Sequence, residues 1–466
     1  MNYPFWIVPH IGSQWIIGGI AIFHVMISHF AVGGGLYLPM TERKALAKNS
    51  AEWMQILRKH AKFFLILTGV FGAVSGVGIW FSIGLAHPEA TSTLIHNFVF
   101  GWAIEWVFFI VELSSAAVYY YSWGRIPDSL HLKVGWLYAI SSFCTLVIIN
   151  GILGFMLTPG QTWLSIAGTG QESHYFWQAF FNPTYWPSLF LRSAACVSLA
   201  GVWALVTCAR IDGDEHPIKG ELVQWSVKWL VPSFVAMPFL LLWYLHQVPE
   251  SQRVLLSFGF HTIGTGAFTQ VTRTVLVIIM TSATIVGVVY LFAWKSPREF
   301  SFGAALAVLG LALMATGSTE YAREMLRKPY VIGQHMYSNG VRVSYVDRLN
   351  RDGYLTHSLW VDTNGDAHLN QGEAMFRGQC LSCHTQDGYR SMTRLLQGRD
   401  RRAIGSLLDI LHKHAPDSPY HAFMPPLVGT PPEIDALGDY LLTLSHPENS
   451  TTIAGGAQSG VISLAK

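Results

Sequence analysis

The chain has 466 residues, of which 51% are hydrophobic and 12% charged, and its mean hydropathy is +0.33. Soluble proteins carry about 25% charged residues, so this composition excludes an ordinary soluble protein and indicates a chain that mostly meets lipid or other apolar helices. The formal net charge of +2 is too small to favour nucleic acid or another polyanion as a partner.

Eight apolar stretches are long enough to cross a bilayer as helices, which requires about 20 residues each. They cover approximately residues 14–40, 63–86, 96–122, 134–158, 186–208, 229–247, 267–294 and 301–321. The first stretch is long and lacks both a basic start and a small-residue cleavage site, so we expect a permanent helix there and no cleaved signal peptide. The sequence therefore predicts an all-α fold, a polytopic transmembrane helical bundle.

Basic residues between these stretches are strongly asymmetric. Thirteen lysines and arginines lie in four alternate connections, at 41–62, 123–133, 209–228 and 295–300. Only Arg253 lies in the opposite set, which consists of the N-terminus and residues 87–95, 159–185 and 248–266. Short cytoplasmic loops are enriched in Lys and Arg. We therefore predict a multi-pass protein of the cytoplasmic (inner) membrane with its N-terminus and, after eight crossings, its C-terminal region outside.

The composition becomes polar after about residue 325. We predict a transmembrane domain over 1–335, a linker over 336–370 and a small α-helical soluble domain over 371–466. Within 362–373 the residues Asp362, Asn364, Asp366 and Glu373 match the ligand spacing of an EF-hand calcium loop. Ala367 stands where that loop needs Gly, and no long helix precedes it, so a polar linker is the favoured interpretation and calcium stays open.

The most specific motif is Cys380-Leu-Ser-Cys383-His384. Two thiols at this spacing can add to the two vinyl groups of a haem, and the adjacent His can supply an axial nitrogen to the iron. A redox dithiol or half a zinc site is the alternative, which the adjacent His and the lack of a second such cysteine pair disfavour. The motif predicts a covalent haem c, and because haem c is attached outside the membrane, it agrees with the orientation from the charges.

The second axial ligand of this haem should be a Met or His further along the chain. Met424 lies about 40 residues downstream and is followed by two prolines, which would hold its thioether rigidly. We predict Met424 as this ligand, with Met392 and His421 as rivals.

Ionisable residues inside membrane helices are costly and mark candidate functional sites. His24 lies in the first predicted helix, and Glu105 and Glu112 lie in the third. Seven residues make about two turns, so the two carboxylates share a face roughly 10 Å apart and could ligate iron or pass protons. The alternative for each is a polar side chain satisfied by a neighbouring helix. Cys144, Cys196 and Cys208 are most simply buried small side chains.

Several runs, in order, resemble subunit I of the cytochrome bd-type quinol oxidases. They are Phe23-His24 with Gly33-Gly34-Gly35, Ala103-Ile104-Glu105-Trp106 through Glu112, Ser122-Trp-Gly-Arg125, Asn150-Gly151 to Thr158-Pro159-Gly160, and Glu324-Met-Leu-Arg327-Lys-Pro329-Tyr330. The resemblance covers roughly residues 10–335.

By position, the resemblance implies that His24 is the axial ligand of a high-spin catalytic haem, of b or d type. It implies that Glu105 is a partner of that iron or a proton donor and that Glu112 belongs to the proton path, although their spacing is one residue shorter than in the family. Glu324 would ligate a second, high-spin haem b, with Arg327 near its propionates. A second membrane subunit is implied too.

The sequence also departs from the family. Arg192 and Val275 stand where the family has the His and Met ligands of its low-spin haem b, so that haem is expected to be absent or held by His246 or His261. The connection at 248–266 is too short for the family's quinol-binding loop, and the predicted haem c domain replaces its ninth helix. Quinol is therefore in doubt as the direct donor.

These features give one functional hypothesis and two alternatives. The hypothesis is a bd-like oxidoreductase subunit of a respiratory chain, fed through haem c by a c-type cytochrome and reducing oxygen. The first alternative is a membrane electron-transfer subunit that links a periplasmic redox enzyme or a quinone site to c-type cytochromes without reducing oxygen. The second is reduction of nitric oxide at the same haem, which no residue of this sequence indicates specifically.

Overall fold

The computed structural model describes residues 3–211, 217–250, 252–254, 256–257, 270–361 and 368–446. Within these ranges, eight helices are long and apolar enough to cross a membrane, which confirms the predicted polytopic bundle. They are α1 (Ser13–Ala47), α2 (Ala51–Ala86), α3 (Pro88–Tyr121), α4 (Asp128–Leu157), α5 (Tyr185–Cys208), α6 (Ile218–Gln247), α7 (Gln270–Trp294) and α8 (Phe302–Leu326). The chain is thus a multi-pass membrane protein.

The first connection between helices is much shorter than the sequence suggested. The predicted loop at 41–62 is mostly helical, because α1 continues to Ala47 and α2 begins at Ala51. The Ser50 side chain accepts a hydrogen bond from the Trp53 backbone N–H at 3.3 Å and so caps the start of α2. Trp53 and Leu57 are buried, and this inward face makes the basic segment amphipathic rather than a loop.

Three of these eight helices depart from regular α geometry. Residues Leu67–Gly72 of α2 and Val289–Trp294 of α7 are π-helical. In α3, Phe98 has non-helical angles (φ −123°, ψ 26°) and marks a kink. π-Helical turns inside α-helices are often found at functional sites.

One compact unit comprises residues Ile17–Ile83 and Ala90–His335. Small residues let its helices approach closely: a Cβ on Gly33 of α1 would lie 1.9 Å from the Cys196 carbonyl oxygen of α5. Large apolar side chains also face outward, with Val77, Phe81 and Phe100 each at least 65% exposed. An apolar exterior of this kind is what a bundle surrounded by lipid requires.

The other unit comprises residues Met1–Ile16, Gly84–Glu89 and Met336–Lys466. It is called the soluble unit below, because it contains the predicted soluble domain, and the first unit is called the membrane unit. Its described helices are α9 (Val346–Asp352), α10 (His368–Gln379), α11 (Met392–Leu396), α12 (Arg401–Lys413) and α13 (Pro431–Ser445). Short strands span Tyr330–Ile332 in the first unit and Met336–Tyr337 in this one.

Helices α10 and α13 pack closely, since a Cβ on Gly372 would lie 2.1 Å from the Ala436 carbonyl oxygen. Tyr354, from the predicted linker, donates its backbone N–H to Glu433 at 3.0 Å and its hydroxyl to the Gly378 carbonyl at 3.1 Å. The domain limits at 335 and 370 remain predictions, and residues 362–367 of the calcium-loop pattern lie outside the described residues.

Candidate haem-binding sites

The CxxCH motif forms one compact turn directly after α10, which ends at Gln379. The Cys383 and His384 backbone N–H groups both donate to the Cys380 carbonyl, at 3.0 and 2.9 Å. This turn brings the two thiols and the imidazole onto one short segment. Both cysteines are free and half-buried, and burial raises the pKa of the Cys380 thiol to about 12. Free thiols on one turn fit the attachment chemistry of haem c.

His384 is held in the orientation that an iron ligand needs. Its Nδ1 lies 3.0 Å from the Arg390 carbonyl oxygen, so Nδ1 carries the proton and donates. Nε2 is then the unprotonated nitrogen and is left for a metal. Burial lowers the pKa of His384, which favours this neutral form.

The candidates for the second axial ligand lie in a segment rich in His. Met424 is half-buried, and its carbonyl accepts a hydrogen bond from His414 Nε2 at 3.1 Å. His421 donates through Nδ1 to the His414 carbonyl at 3.1 Å, and Met392 is a buried residue at the start of α11. The contacts of these three residues do not show which of them is the second axial ligand. Met424 as this ligand remains a prediction.

In the membrane unit, His24 is oriented by a bond to α2. Its Nδ1 lies 2.9 Å from Ser75 Oγ, and Ser75 uses its own proton to bond the Phe71 carbonyl at 2.5 Å. The Ser75 oxygen must therefore accept from His24 Nδ1, which leaves Nε2 open for iron. Ser75 lies three residues after the π-helical turn of α2. Gly76 keeps space beside the ring, where a Cβ would lie 3.4 Å from His24 Cε1.

The two glutamates of α3 differ in their surroundings. Glu112 is buried and accepts a hydrogen bond from Ser142 of α4 at 2.8 Å, whereas Glu105 is only half-buried. In the part of the chain that the structure describes, no hydrogen bond or ion pair joins His24 to either glutamate. The shared face on α3 is present, but the grouping of His24 with Glu105 at one iron stays a prediction.

A buried polar cluster that the sequence analysis missed lies near the end of α3. Glu42, at 0% exposure, accepts hydrogen bonds from Tyr119 Oη at 2.8 Å and from His131 Nδ1 at 2.7 Å. His131 also donates through Nε2 to the Tyr119 carbonyl at 2.8 Å. Tyr119 follows Glu112 by seven residues, as Glu112 follows Glu105, and this repeat was the one available signal. The cluster extends the buried polar face of α3.

Near the end of α8, the predicted haem residues are paired with one another. Glu324 forms an ion pair with Arg327, and Arg327 also donates to the Val331 carbonyl at 3.3 Å. Arg192, at the position of the family's low-spin haem ligand, lies 3.6 Å from Glu320, which Arg323 also contacts at 2.9 Å. His246 is exposed, and His261 lies outside the described residues. The Arg192 side chain therefore forms an ion pair with Glu320.

One cluster in the soluble unit has side chains that could ligate a metal, but an arginine neutralises the charge of its carboxylates. His368, Asp435 and Asp439 have ligand atoms within 4.8 Å of one another. Arg401 contacts both carboxylates at 2.5 Å, and its hydrogen bond to Asp439 lowers the pKa of that carboxyl. The guanidinium supplies the positive charge that a metal would bring, so this cluster joins α12 to α13 rather than forming a metal site.

The fold and these sites define a class, a multi-pass helical membrane protein with candidate haem ligands in its bundle and in a soluble unit. The family profile described as cytochrome bd terminal oxidase subunit I matches residues 13–211, less than half of the chain. No curated protein matches. Among solved structures, the chain is similar to the bd oxidase from Geobacillus thermodenitrificans, with a TM-score of 0.58 and 16% identity, over 72% of this chain and 92% of that one. At that identity the likeness shows the fold.

Proposed function

We propose that the chain is the haem-bearing subunit of a bd-like respiratory oxidoreductase that exchanges electrons through a covalent haem c and reduces oxygen in the membrane. Two findings support the membrane part, namely the match of residues 13–211 to a terminal-oxidase subunit and the fold shared with a bd oxidase. The observation that carries the haem c part is the turn of Cys380, Cys383 and His384, with His384 Nδ1 bonded to Arg390. Haem iron, once bound, would supply the electron transfer and the oxygen binding.

The residues of the membrane unit would then have separate tasks. His24, fixed by Ser75, would hold the iron of the catalytic haem, of b or d type, through Nε2. Glu105 lies on the less buried part of the α3 face and would stand beside that iron. Glu112, hydrogen-bonded to Ser142, would hold and pass protons toward it.

Glu324 and Arg327 would serve a second haem b. Glu324 would ligate its iron through a carboxylate oxygen, and Arg327 would face its propionates, as the resemblance implies. Their mutual ion pair supports a shared site, because it places the carboxylate next to the guanidinium, and the iron would replace Arg327 as the partner of Glu324. The half-exposed Glu324 side chain leaves room for such an exchange of partners.

Electron entry through haem c rather than through a low-spin haem b is supported by Arg192. Its ion pair with Glu320 occupies the position where the family has a haem ligand, and an arginine does not ligate iron. We propose a c-type cytochrome or a periplasmic redox subunit as the donor, with the soluble unit on the outer face. The asymmetry of basic residues supports that orientation. A second bd-like membrane subunit would cover the exposed part of α3 around Glu105.

The test is a carbon monoxide difference spectrum of the dithionite-reduced, purified protein. We expect a CO shift in a haem other than haem c, because His24 would leave one coordination position of its iron open. In His24→Ala the part of the shift that comes from this haem should disappear, which leaves only what a high-spin haem b at Glu324 contributes. In His96→Ala the whole shift should persist, because the exposed His96 side chain, among the described residues, bonds only within its own helix turn. Absence of any shift in the unaltered protein would overturn oxygen reduction and favour the electron-transfer subunit.

A further inference from the structure

The segment before the first membrane helix, together with the first turn of that helix, packs on the loop that follows the CxxCH motif, within the same compact unit. The Tyr389 backbone N–H donates to the His10 carbonyl at 2.6 Å, and the rings of Trp15 and Tyr389 meet edge to face at 5.8 Å. A Cβ on Gly388 would lie 1.8 Å from the His10 carbonyl oxygen. This position therefore admits only glycine as long as the two segments stay in contact.

The contacted loop is the one that orients His384. Tyr389 is followed by Arg390, whose carbonyl accepts the Nδ1 proton of His384. Arg390 has φ +48° and His10 has φ +62°, a region that residues with a side chain rarely adopt. Such backbone conformations persist only when the surrounding structure enforces them. The His10 carbonyl, held on one side of the loop, supplies that constraint.

The other side of the loop is tied to the residue after the axial His. Thr385 Oγ1 donates to the Tyr389 carbonyl at 2.9 Å and accepts from the Gly388 N–H at 2.8 Å. Tyr389 is thus held at its carbonyl by Thr385 and at its backbone N–H by the N-terminal segment. Any shift of Tyr389 would move the Arg390 carbonyl away from His384.

We propose that residues 8–15 position His384. They set the strength of its Nδ1 hydrogen bond and, through that bond, the reduction potential of haem c. The inference rests on the proposed haem c site. A hydrogen bond at Nδ1 makes the imidazole a more basic ligand and stabilises ferric iron, so its loss raises the potential. In this proposal His10, Trp15 and Gly388 act through His384, and none of them is a ligand of the iron.

The experiment is a redox titration of haem c in the full-length, purified protein. In Gly388→Ala, haem c should stay covalently attached, because both cysteines precede the loop. Its ratio of reduced to oxidised haem at a fixed potential should rise about tenfold, which corresponds to ~59 mV for a one-electron couple. Trp15→Ala should shift the potential in the same direction. Trp15→Phe, which keeps an aromatic ring, should have a potential close to that of the unaltered protein.

Gly405→Ala is the matched control, since its Cβ in α12 would meet only the flexible end of Arg401 at 3.3 Å. It should leave the potential unchanged. If Gly388→Ala fails to retain haem, Trp15→Ala decides the question. Unchanged potentials in the variants that carry haem c would overturn the positioning role. A lack of covalent haem in the unaltered chain would instead overturn the proposed function.

Discussion

The two histidines proposed as iron ligands have the same local arrangement. His24 and His384 each donate through Nδ1, to Ser75 and to the Arg390 carbonyl, and each keeps Nε2 for a metal. A second hydrogen bond of this kind fixes both the tautomer and the ring plane of a metal-binding His. Neither Ser75 nor Arg390 belongs to the motifs that drew attention to the histidines.

Replacement of Ser75 tests this arrangement in the membrane. In Ser75→Ala, His24 loses its Nδ1 acceptor, and we expect the affinity for the haem at His24 to fall about 10- to 100-fold. The measurement is the content of non-covalent haem per polypeptide after purification, from pyridine haemochrome spectra. Ser82→Ala is the control, because Ser82 is buried in the same helix and, in the described part of the chain, bonds only to the Gly78 carbonyl. Equal haem loss in both variants would contradict the role of Ser75.

At the scale of elements, buried polar side chains join the apolar helices at defined points. Glu42 of α1 bonds Tyr119 of α3 and His131 of α4, so one carboxylate fixes three helices. Both ring nitrogens of His131 face acceptors, which only the protonated ring satisfies. Apolar packing alone tolerates sliding of helices in a membrane, whereas this cluster sets their register.

Removal of the central carboxylate should therefore be costly. Glu42→Ala leaves the buried His131 and Tyr119 hydroxyl without their partner, and we expect the free energy of unfolding to fall by about 3–5 kcal/mol. Tyr119→Phe removes one hydrogen bond and should cost only about 1 kcal/mol. Unfolding in mixed micelles with increasing dodecyl sulfate, followed by far-ultraviolet circular dichroism, gives both values. A Glu42→Ala effect no larger than that of Tyr119→Phe would show that the cluster does not hold the helices.

At the scale of the whole molecule, basic residues and the CxxCH motif make the same topological prediction by independent routes. The eight described spans agree with the even number of crossings that this prediction needs. The first basic connection shrinks to residues 48–50 in the structure. The predicted side of its basic residues is unchanged, because that side depends on their order along the chain.

A topology assay tests the orientation directly. Alkaline phosphatase, which is active only outside the cytoplasm, should be active when fused after Lys466 and inactive when fused after Arg125, between α3 and α4. A fluorescent protein that folds only in the cytoplasm should give the reverse pattern at the same two positions. Phosphatase activity at Arg125 but not at Lys466 would invert the proposed topology and exclude haem c attachment as proposed.

How much of each site could be predicted depended on how far apart its residues lie in the sequence. The CxxCH turn is local, since Cys380 and His384 are four residues apart, so the sequence displayed the whole motif. Glu42 was missed because its partners lie 77 and 89 residues away, and a lone glutamate at a helix end is usually a solvated charge. Ser75 was missed for the same reason, lying 51 residues from His24.

The sequence by itself determined the eight membrane helices, because the length of an apolar stretch decides whether it can cross a bilayer. It also displayed the whole CxxCH motif, on which the haem c prediction rests, because that chemistry needs residues on a single turn. Only the tertiary structure decided that the Ser75 side chain bonds His24, that Arg192 is paired with Glu320, and that the N-terminal segment contacts the His384 loop. These contacts join residues far apart in the chain, and their formation depends on how the helices and loops pack together.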